Sequence, residues 1–562
     1  MKTHPSVLRT RAFASATAGA LAAAALVGCG TPPGATIAAA PALGPAPVIV
    51  RADVHQEADA MRVSTLDAQR LDRATFGVDA LALQQVGRLG WARWVDDQLH
   101  PKPFALPESV SERIVQMKIV REPLVARLRE DVTAKKSADT VADDEQKKAA
   151  QQAYQKGLNT QADEAAQRWL LLAANSPNQV QERLVWFWVN HFSIAQGKAN
   201  LRLFAGDYEA TLRAHALGKF RDLLEASAMH PAMLRYLDNE RNAAGQINEN
   251  YARELMELHT LGVDGGYTQQ DVTELARILT GWTMRPQQPM RRRFADPMDA
   301  PAGGHGDSIF LFDPARHDGG TKTWLGRRIA PDGQLEGEFA LDVLAKHPST
   351  ARHIAFKLAR RFVADDPPPA LVERLARRFL DTDGDLRAVM QALADSPEFR
   401  DPAPTKFKTP YQYVLSAVRA TGIVTTNVRP LMGQLAQLGQ PLYGCQTPDG
   451  WHDTEADWLN PNAITQRVNF ATALAAGKLP LQRVDDPGAP AGNDGLKAME
   501  RQTERAMNGG QPVEGSTPPV DAATLLATLG PAISDKTRRA VENTPPELRA
   551  ALVLGSPDFM RR

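Results

Sequence analysis

Two histidines in apolar surroundings are the first candidates for chemistry in this chain. His191 follows Asn190 within residues 184–192, where seven bulky apolar side chains surround these two polar ones. A helix of this composition is apolar on nearly every side and must be buried. Burial of an unpartnered imidazole costs on the order of a few kcal/mol, so His191 needs a partner. That partner is either a backbone carbonyl, as for an ordinary core histidine, or a functional site.

The second candidate segment, residues 248–262, has a dense charge pattern beside an apolar stripe. At 100° per residue His259 lies near the middle of the apolar arc, whereas Arg253 and Glu257 are four residues apart on another face. Such a pair is usually a surface ladder that contributes a few tenths of a kcal/mol. The alternative is a buried polar network. In such a network Glu257 or Glu254 acts as a carboxylate ligand or base, and Arg253 keeps that carboxylate ionised.

A third segment, residues 312–322, places His317 and Asp318 beside Gly319 and Gly320. Imidazole and carboxylate groups are common metal ligands, so we predict His317 and Asp318 as candidate ligands of a divalent metal ion. Ordinary turn chemistry explains the same Asp-Gly-Gly sequence.

A fourth segment, residues 448–458, contains two tryptophans and four acidic residues. Aromatic rings that stack on sugars, together with carboxylates that accept hydrogen bonds, are typical of carbohydrate sites. The tryptophans are equally able to anchor a long loop to the core, and we favour anchoring.

Helical periodicity dominates the elements that must position these residues. Patterns over 66–76, 78–89 and 91–99 predict short amphipathic helices, and the pattern resumes after residue 336. Residues 309–312 and 323–329 predict the two strands of a β-hairpin that turns at the Asp-Gly-Gly sequence. We therefore predict a mainly α, multi-helix globular domain, residues 61–562, with one small β-hairpin.

Two segments of this domain differ from the rest in composition. The charged excursion at about 131–166 has few large apolar residues, which is typical of a solvated helical hairpin or a mobile insertion. The stretch at about 482–518 is polar and rich in Gly and Pro, and we predict it to be flexible.

The N-terminus has the features of a bacterial export signal. Residues 1–28 combine early positive charges with an uncharged, Ala-rich stretch, and the sequence Leu-Val-Gly-Cys resembles a lipobox. We predict lipidation of Cys29, a tether at 29–60, and a location in the cell envelope, lipid-anchored and facing the periplasm or the exterior. The alternative is an ordinary cleaved signal with a coincidental cysteine. Cys445 is then the remaining thiol, and we predict it to be buried.

Composition excludes several classes of protein. The 562 residues contain 65 basic and 65 acidic side chains, which argues against a nucleic-acid binder. Two cysteines are too few for a disulfide scaffold or a Cys-rich zinc module. The sequence has no Gly-x-Ser-x-Gly elbow, no His-Glu-x-x-His motif and no phosphate-binding Gly-rich loop.

The sequence resembles a bacterial protein family, the "domain of unknown function 1800" family. The resemblance is carried by residues 248–268 (Asn-Glu-Asn-Tyr-Ala-Arg-Glu-Leu-Met-Glu-Leu-His-Thr-Leu-Gly onward) and 279–282, with support from 188–192, 317–322 and 347–353. It extends from about residue 66 to the C-terminus, and the long excursion at 131–166 departs from it. The resemblance implies a large, mostly helical, exported protein and no particular reaction. It also implies a partner, because such genes often neighbour those of a secreted family similar to sulfatases and alkaline phosphatases.

Two functional hypotheses follow from these patterns. In the first, the chain is a hydrolase of an envelope or extracellular polymer. Its site lies between the His191 and His259 helices, near His317, with Glu257 as the carboxylate and Arg253 as its electrostatic support. In the second, the chain is a non-catalytic partner or assembly factor for the co-secreted sulfatase- or phosphatase-like protein, and its buried polar groups only fix the packing.

Overall fold

Helices dominate the part of the chain that the computed structural model describes, namely residues 65–285, 309–401, 406–482, 501 and 515–562. The predicted signal, Cys29 and the tether lie outside these residues, as does most of the predicted flexible stretch at 482–518. The described residues form one compact unit. In that part of the chain no helix is both long enough and apolar enough to cross a membrane.

Thirteen α-helices precede the first strand in the described residues. They are α1 Thr65–Ala74, α2 Ala80–Leu89, α3 Trp91–Leu99, α4 Glu108–Gln116, α5 Lys118–Arg121, α6 Leu124–Asp139, α7 Asp144–Asn175, α8 Gln179–His191, α9 Ala205–His215, α10 Phe220–Ala228, α11 Pro231–Tyr236, α12 Asn250–Glu257 and α13 Gln269–Ile278.

Twelve more follow the last strand in the described residues. They are α14 Gln334–Ala345, α15 Pro348–Phe362, α16 Pro369–Asp381, α17 Leu386–Ala394, α18 Pro397–Arg400, α19 Pro410–Ala420, α20 Arg429–Gln437, α21 Glu455–Trp458, α22 Pro461–Ala475, α23 Ala522–Leu529, α24 Asp535–Glu542 and α25 Pro546–Leu554. The mainly α prediction is confirmed.

Local capping chemistry explains where many of these helices begin. The Asp79 side chain accepts a hydrogen bond from the backbone N–H of Ala82 at the start of α2, and Asp385 accepts one from Ala388 at the start of α17. Thr268 and Asp271 form a reciprocal capping box at the start of α13. These short polar side chains satisfy backbone donors that have no partner inside the helix.

The charged excursion forms a helical hairpin. It falls within α6 and α7, of 16 and 32 residues, which pack against each other. The first half of α7 is mostly exposed, whereas Leu158 near its middle and Trp169 and Leu170 in its second half are buried. The sequence between 131 and 156 therefore forms a solvated extension of helices that are anchored in the core.

The strands pair differently from the predicted hairpin. Strand β1 (Trp282–Met284) pairs antiparallel with β2 (Phe310–Phe312), and β3 (Lys322–Trp324) pairs antiparallel with β4 (Arg327–Ile329). The predicted pairing of 309–312 with 323–329 is wrong. The tight turn lies instead at Leu325-Gly326, where φ is 46° and 70°, as a two-residue hairpin turn requires.

The core around helix α8 is aromatic. Eleven of the 13 residues of α8 are buried, as its composition predicts. Trp186 stacks on Tyr411 with ring centroids 3.8 Å apart, and Trp169 contacts Trp186, Tyr411 and Tyr443. This packing holds the C-terminal turn of α8, which carries Asn190 and His191, in one place.

Candidate functional site

The C-terminal turn of α8 meets the segment that follows α12. His191 and His259 are each 1% exposed, and their ring centroids lie 6.1 Å apart. The Nε2–H of His191 donates to the backbone carbonyl of His259, at 3.1 Å. The other nitrogen of His191, Nδ1, and Nε2 of His259 are buried without a hydrogen-bond partner. The sequence analysis thus correctly pairs these two histidines, and the structure leaves one nitrogen of each unsatisfied.

A third histidine completes what we call the imidazole cluster, His191, His259 and His353. His353 lies in α15 with its ring centroid 6.2 Å from that of His191. Its Nε2–H donates to the carbonyl of Leu258, at 3.2 Å. Gly262 permits this contact, because a Cβ at that position would lie 2.9 Å from Nδ1 of His353. Glycine here has φ of +85°, which also favours glycine over other residues.

The imidazole cluster is uncharged near neutral pH. Burial, with smaller contributions from Lys357 and His353, lowers the pKa of His259 to about 3. The same causes, burial first and then Lys357, lower the pKa of His353 to about 4. The pKa of His191 is also lowered well below its ordinary value, mainly by burial. These rings therefore present neutral nitrogen lone pairs and apolar faces.

Lys357 lies one helical turn after His353 and acts electrostatically on all three rings. Burial lowers its pKa to about 8, while Asp449 opposes the shift and Arg360 adds to it. Among the described residues its ammonium group has no hydrogen bond or ion pair, although the side chain is only partly exposed. An unpartnered lysine in such surroundings is typical of functional sites.

Electrostatic contacts link three carboxylates and Lys357: Glu257 and Asp449 act on Glu254, and Asp449 also acts on Lys357. We call this set the acidic face: Glu254, Glu257, Asp449 and Lys357. Glu254 and Glu257 are half-buried and, within the described ranges, their carboxylates make no hydrogen bond or ion pair. Burial raises the pKa of Glu254, and Glu257 and Asp449 raise it further against the opposing charge of Arg253. Oδ1 of Asp449 is also buried without a partner.

The loop that carries Asp449 is anchored to α8. The side-chain amide of Asn190 donates to the carbonyl of Trp451 at 2.9 Å, and its Oδ1 accepts from the N–H of Trp451 at 2.7 Å. Gly450 fits closely, because a Cβ there would lie 2.2 Å from the carbonyl oxygen of Asn190. Trp458 is buried and donates to the carbonyl of His452. The structure therefore agrees with the anchoring interpretation of this loop.

Arg253 takes a different partner from the one expected. Its guanidinium pairs with Glu249 at 3.0 Å, and both side chains are about one-third exposed. The positive charge of Arg253 lowers the pKa of Glu254 by less than burial and the neighbouring acids raise it. Glu257 is the last residue of α12, close enough to Tyr267 to help burial raise the pKa of the tyrosine. Arg253 and Glu249 thus form an ordinary surface ion pair between residues four apart.

His317 and Asp318 belong to a separate polar network. Nδ1–H of His317 donates to the carbonyl of Thr280 at 2.9 Å, and its Nε2 lies 3.0 Å from Oε1 of Glu336. Lys322, fully buried, donates to the other oxygen of Glu336 at 2.6 Å. Although burial opposes it, these hydrogen bonds hold the pKa of Glu336 below its ordinary value.

The carboxylate of Asp318 is bound by Arg277, at 2.9 Å and 3.2 Å. Both predicted metal ligands thus already contact charged groups of the protein. Among the described residues no group of three or more His, Cys, Asp or Glu side chains is arranged to hold a metal ion. Metal binding by His317 and Asp318 stays a prediction.

The sequence analysis does not select three residues of the candidate site: His353, Lys357 and Asp449. The signal for the first two is their four-residue spacing, which places both on one face of α15. No local pattern reveals that this face meets His191 and His259, because His353 is 162 residues from the first and 94 from the second in the sequence. The remaining thiol, Cys445, is buried, as predicted.

Comparison with known proteins identifies the family. Neither curated proteins nor solved structures give a match to this chain. The model of one family, described as protein of unknown function (DUF1800), matches residues 69–561. This span includes every element that builds the imidazole cluster and the acidic face. The chain therefore belongs to the DUF1800 family.

Proposed function

We propose that this protein is a lipid-anchored hydrolase of the bacterial envelope that cleaves glycosidic bonds in an envelope or extracellular polymer. The observation that carries the proposal is the acidic face. Three ionisable side chains, Glu254, Glu257 and Lys357, are half-buried there without partners. Folded proteins normally pair such groups, so their convergence favours a catalytic role over a structural one.

Glu254 is the proposed proton donor. A general acid must hold its proton near neutral pH, and burial together with the charge of Glu257 raises the pKa of Glu254 in that direction. Proton transfer from its carboxyl group to the glycosidic oxygen would accompany cleavage of the bond between that oxygen and the anomeric carbon.

Asp449 is the proposed base. It comes from a different segment than Glu254, and it lies within electrostatic range of both Glu254 and Lys357. In the proposed reaction its carboxylate takes a proton from water as the water oxygen bonds to the anomeric carbon. His452 contacts Oδ2 of this carboxylate at 3.2 Å, and Oδ1 has no hydrogen-bond partner. The ammonium of Lys357 attracts the carboxylate of Asp449.

Aromatic side chains beside these groups suit a sugar substrate. Trp451, two residues after Asp449, and Tyr267, close to Glu257, are both half-buried. Half-exposed rings offer apolar faces for sugar rings while hydroxyl groups bind to carboxylates. The neutral imidazole cluster behind them forms a wall of low polarity, which strengthens the electrostatic interactions of the acidic face.

The test is the release of reducing ends from isolated cell-wall and capsular glycans by the purified full-length protein. We expect Glu254→Gln to lower the rate by at least about 100-fold, because the amide has the shape of the acid without its proton. The matched control is Glu145→Gln, on the exposed part of α7, which should leave the rate unchanged.

Equal melting temperatures of both variants would show that the fold is intact. Failure of the wild-type protein to release reducing ends, or full activity of Glu254→Gln, would contradict the proposal. Either result would favour the alternative, a non-catalytic partner of a co-secreted sulfatase- or phosphatase-like protein.

A further inference from the structure

A cavity of about 670 Å³ lies between α1 and the C-terminal segment, outside the candidate site. Its wall includes Asp72 and Arg73 from α1, Lys408 from the segment before α19, and Arg538 and Arg562 from the C-terminal part of the chain. This volume is within the range of small-molecule sites in proteins. The cavity is thus large enough for a ligand of several functional groups.

Of the three carboxylates of this wall, Asp72 and Asp558 are occupied, whereas Asp535 is exposed and makes no ion pair within the described residues. Oδ1 of Asp72 is paired with Nζ of Lys408 at 3.0 Å. Oδ2 of Asp558 accepts from the N–H of Ser534 at 3.0 Å and from its hydroxyl at 2.5 Å. These acids therefore have little capacity left to neutralise the arginines around them.

Two arginines of the wall contact backbone carbonyls and no carboxylate. Nη2 of Arg538 donates to the carbonyl of Gly530 at 2.7 Å, and the side chain is half-buried. The guanidinium of Arg562, 4% exposed, donates to the carbonyls of Phe362 and Arg361, and its Nε is buried without a partner. Each guanidinium carries five N–H donors, so both have donors to spare.

Behind the wall, buried cations outnumber the acids that act on them. The fully buried cationic side chains of this region are Arg73, Arg183, Arg361, Lys406, Lys408, Arg467 and Arg562. The carboxylates that act on them come from Asp72, Asp365, Asp401 and Asp453. The count is seven cations to four carboxylates.

Arg183 shows the consequence of this imbalance most clearly. It is fully buried between the rings of Phe76 and Phe362, with its guanidinium carbon 5.4 Å and 5.1 Å from their centroids. Nε and Nη1 have no hydrogen-bond partner. Burial lowers its pKa well below the ordinary value, and the positive charges of Arg562 and Arg361 lower it further. A buried cation in this position is stabilised by additional negative charge nearby.

We propose that the cavity binds a small ligand through a phosphate or sulfate ester group, whose oxygens accept hydrogen bonds from Arg538 and Arg562. A tetrahedral oxyanion supplies negative charge for the surplus cations and hydrogen-bond acceptors for the spare guanidinium N–H groups. Arginine is the residue best suited to this task, because its planar fork binds such oxygens in pairs. The inference does not depend on the proposed hydrolase activity.

Calorimetric titration of the full-length protein with inorganic phosphate, and separately with inorganic sulfate, tests the inference. Chloride at matched ionic strength is the control ion. We expect saturable binding of phosphate or sulfate and no binding of chloride. The oxyanion that binds more tightly identifies the ligand group as a phosphate ester or a sulfate ester. Arg538→Gln should weaken binding about tenfold, because a charged hydrogen-bond donor is lost, and Arg538→Lys should weaken it less.

The matched control is Arg539→Gln, the next residue of α24, which is exposed and does not line the cavity. It should bind as the wild type does. The inference is overturned by the absence of saturable phosphate and sulfate binding, or by equal losses in Arg538→Gln and Arg539→Gln. Glu254→Gln should bind phosphate normally, so a failure of the hydrolase proposal remains separate from a failure of this one.

Discussion

At the residue scale, the candidate site combines two kinds of group that folded proteins seldom leave unpaired. The imidazole cluster is buried and neutral, and two of its nitrogens have no partner. Glu254 and Lys357 are half-buried with shifted pKa values in opposite directions, upward for the acid and downward for the base. Both shifts arise mainly from desolvation, which favours the uncharged form of either group.

The depressed histidine pKa values make the folded state sensitive to acid. Unfolded imidazoles bind protons near pH 6.5, whereas His259 and His353 in the fold do so only at about 3 and 4. As the pH falls below 6.5 the unfolded state gains protons first, so stability falls with pH. At pH 5 each histidine accounts for about 2 kcal/mol of the loss. Urea unfolding at pH 7 and pH 5 measures this difference.

In the variant His353→Gln the loss of unfolding free energy between pH 7 and pH 5 should be smaller by about 2 kcal/mol, the share of one histidine. The control, His100→Gln, replaces an exposed histidine and should keep the wild-type difference. An unchanged difference in His353→Gln would contradict the assignment of a neutral buried ring at this position.

The network around Glu336 makes a separate prediction about stability. Lys322→Met removes the buried cation 2.6 Å from that carboxylate and leaves the negative charge without its main partner. We expect the free energy of unfolding to fall by about 3 kcal/mol, and by clearly less in the double variant Lys322→Met/Glu336→Leu. Urea titrations of both measure this, and a loss below about 1 kcal/mol in the single variant would show that the pair is not a structural element.

At the element scale, the close approach of the segment after α12 to α15 determines the geometry of the site. Gly262 and Gly266 both have positive φ, +85° and +83°. A Cβ at Gly262 would meet His353, whereas a Cβ at Gly266 would meet nothing within 4 Å.

Alanine at these two glycines separates backbone strain from the contact with His353. Gly266→Ala should cost about 1 kcal/mol for the backbone alone. Gly262→Ala should cost at least about twice as much, because it also displaces the imidazole. Thermal unfolding of both variants measures the two losses of stability. Equal losses would mean that Gly262 and His353 of α15 are not in tight contact.

The sequence predicts helices better than it predicts their ends or the strand pairing. The predicted helix over 91–99 matches α3, and those over 66–76 and 78–89 match α1 and α2 to within two residues, because apolar periodicity and caps are local signals. The predicted helix over 248–262 ends instead at Glu257, since His259 must turn toward His191. A small hairpin does form, from β3 and β4, but the predicted pairing of 309–312 with 323–329 is wrong. Strand β2 pairs with β1 across a long segment, and no local turn signal marks that pairing.

The candidate site was partly predictable for the same reason. His191 and His259 each stand out on an apolar surface, and two such polar groups need a common partner in the core. Asp449 and Lys357 do not stand out, because a charged residue in a loop or on a helix is ordinary until its neighbours are known. Their importance depends on desolvation, which is a property of the assembled fold.

At the scale of the whole molecule, the proposed lipid anchor is tested by the two cysteines of the chain. Cys29→Ser should move the protein from the membrane fraction to the soluble fraction and abolish fatty-acid labelling, because the thiol is the predicted acylation site. Cys445→Ser removes the buried thiol and should leave both properties unchanged. Retention of Cys29→Ser in the membrane would contradict lipid anchoring through this residue.

The pH dependence of glycan hydrolysis tests the central claim, an acid–base site on the acidic face, most directly. Because Glu254 must hold its proton, the rate should fall on the basic side as this acid ionises, at a pH above the ordinary pKa of glutamic acid. In Glu254→Gln, whose amide has no proton to lose in this range, the basic limb of the residual rate should move up to about 8, where Lys357 loses its charge, while the acidic limb stays in place. An unchanged basic limb in Glu254→Gln, or no hydrolysis by the wild-type protein at any pH, would contradict the account.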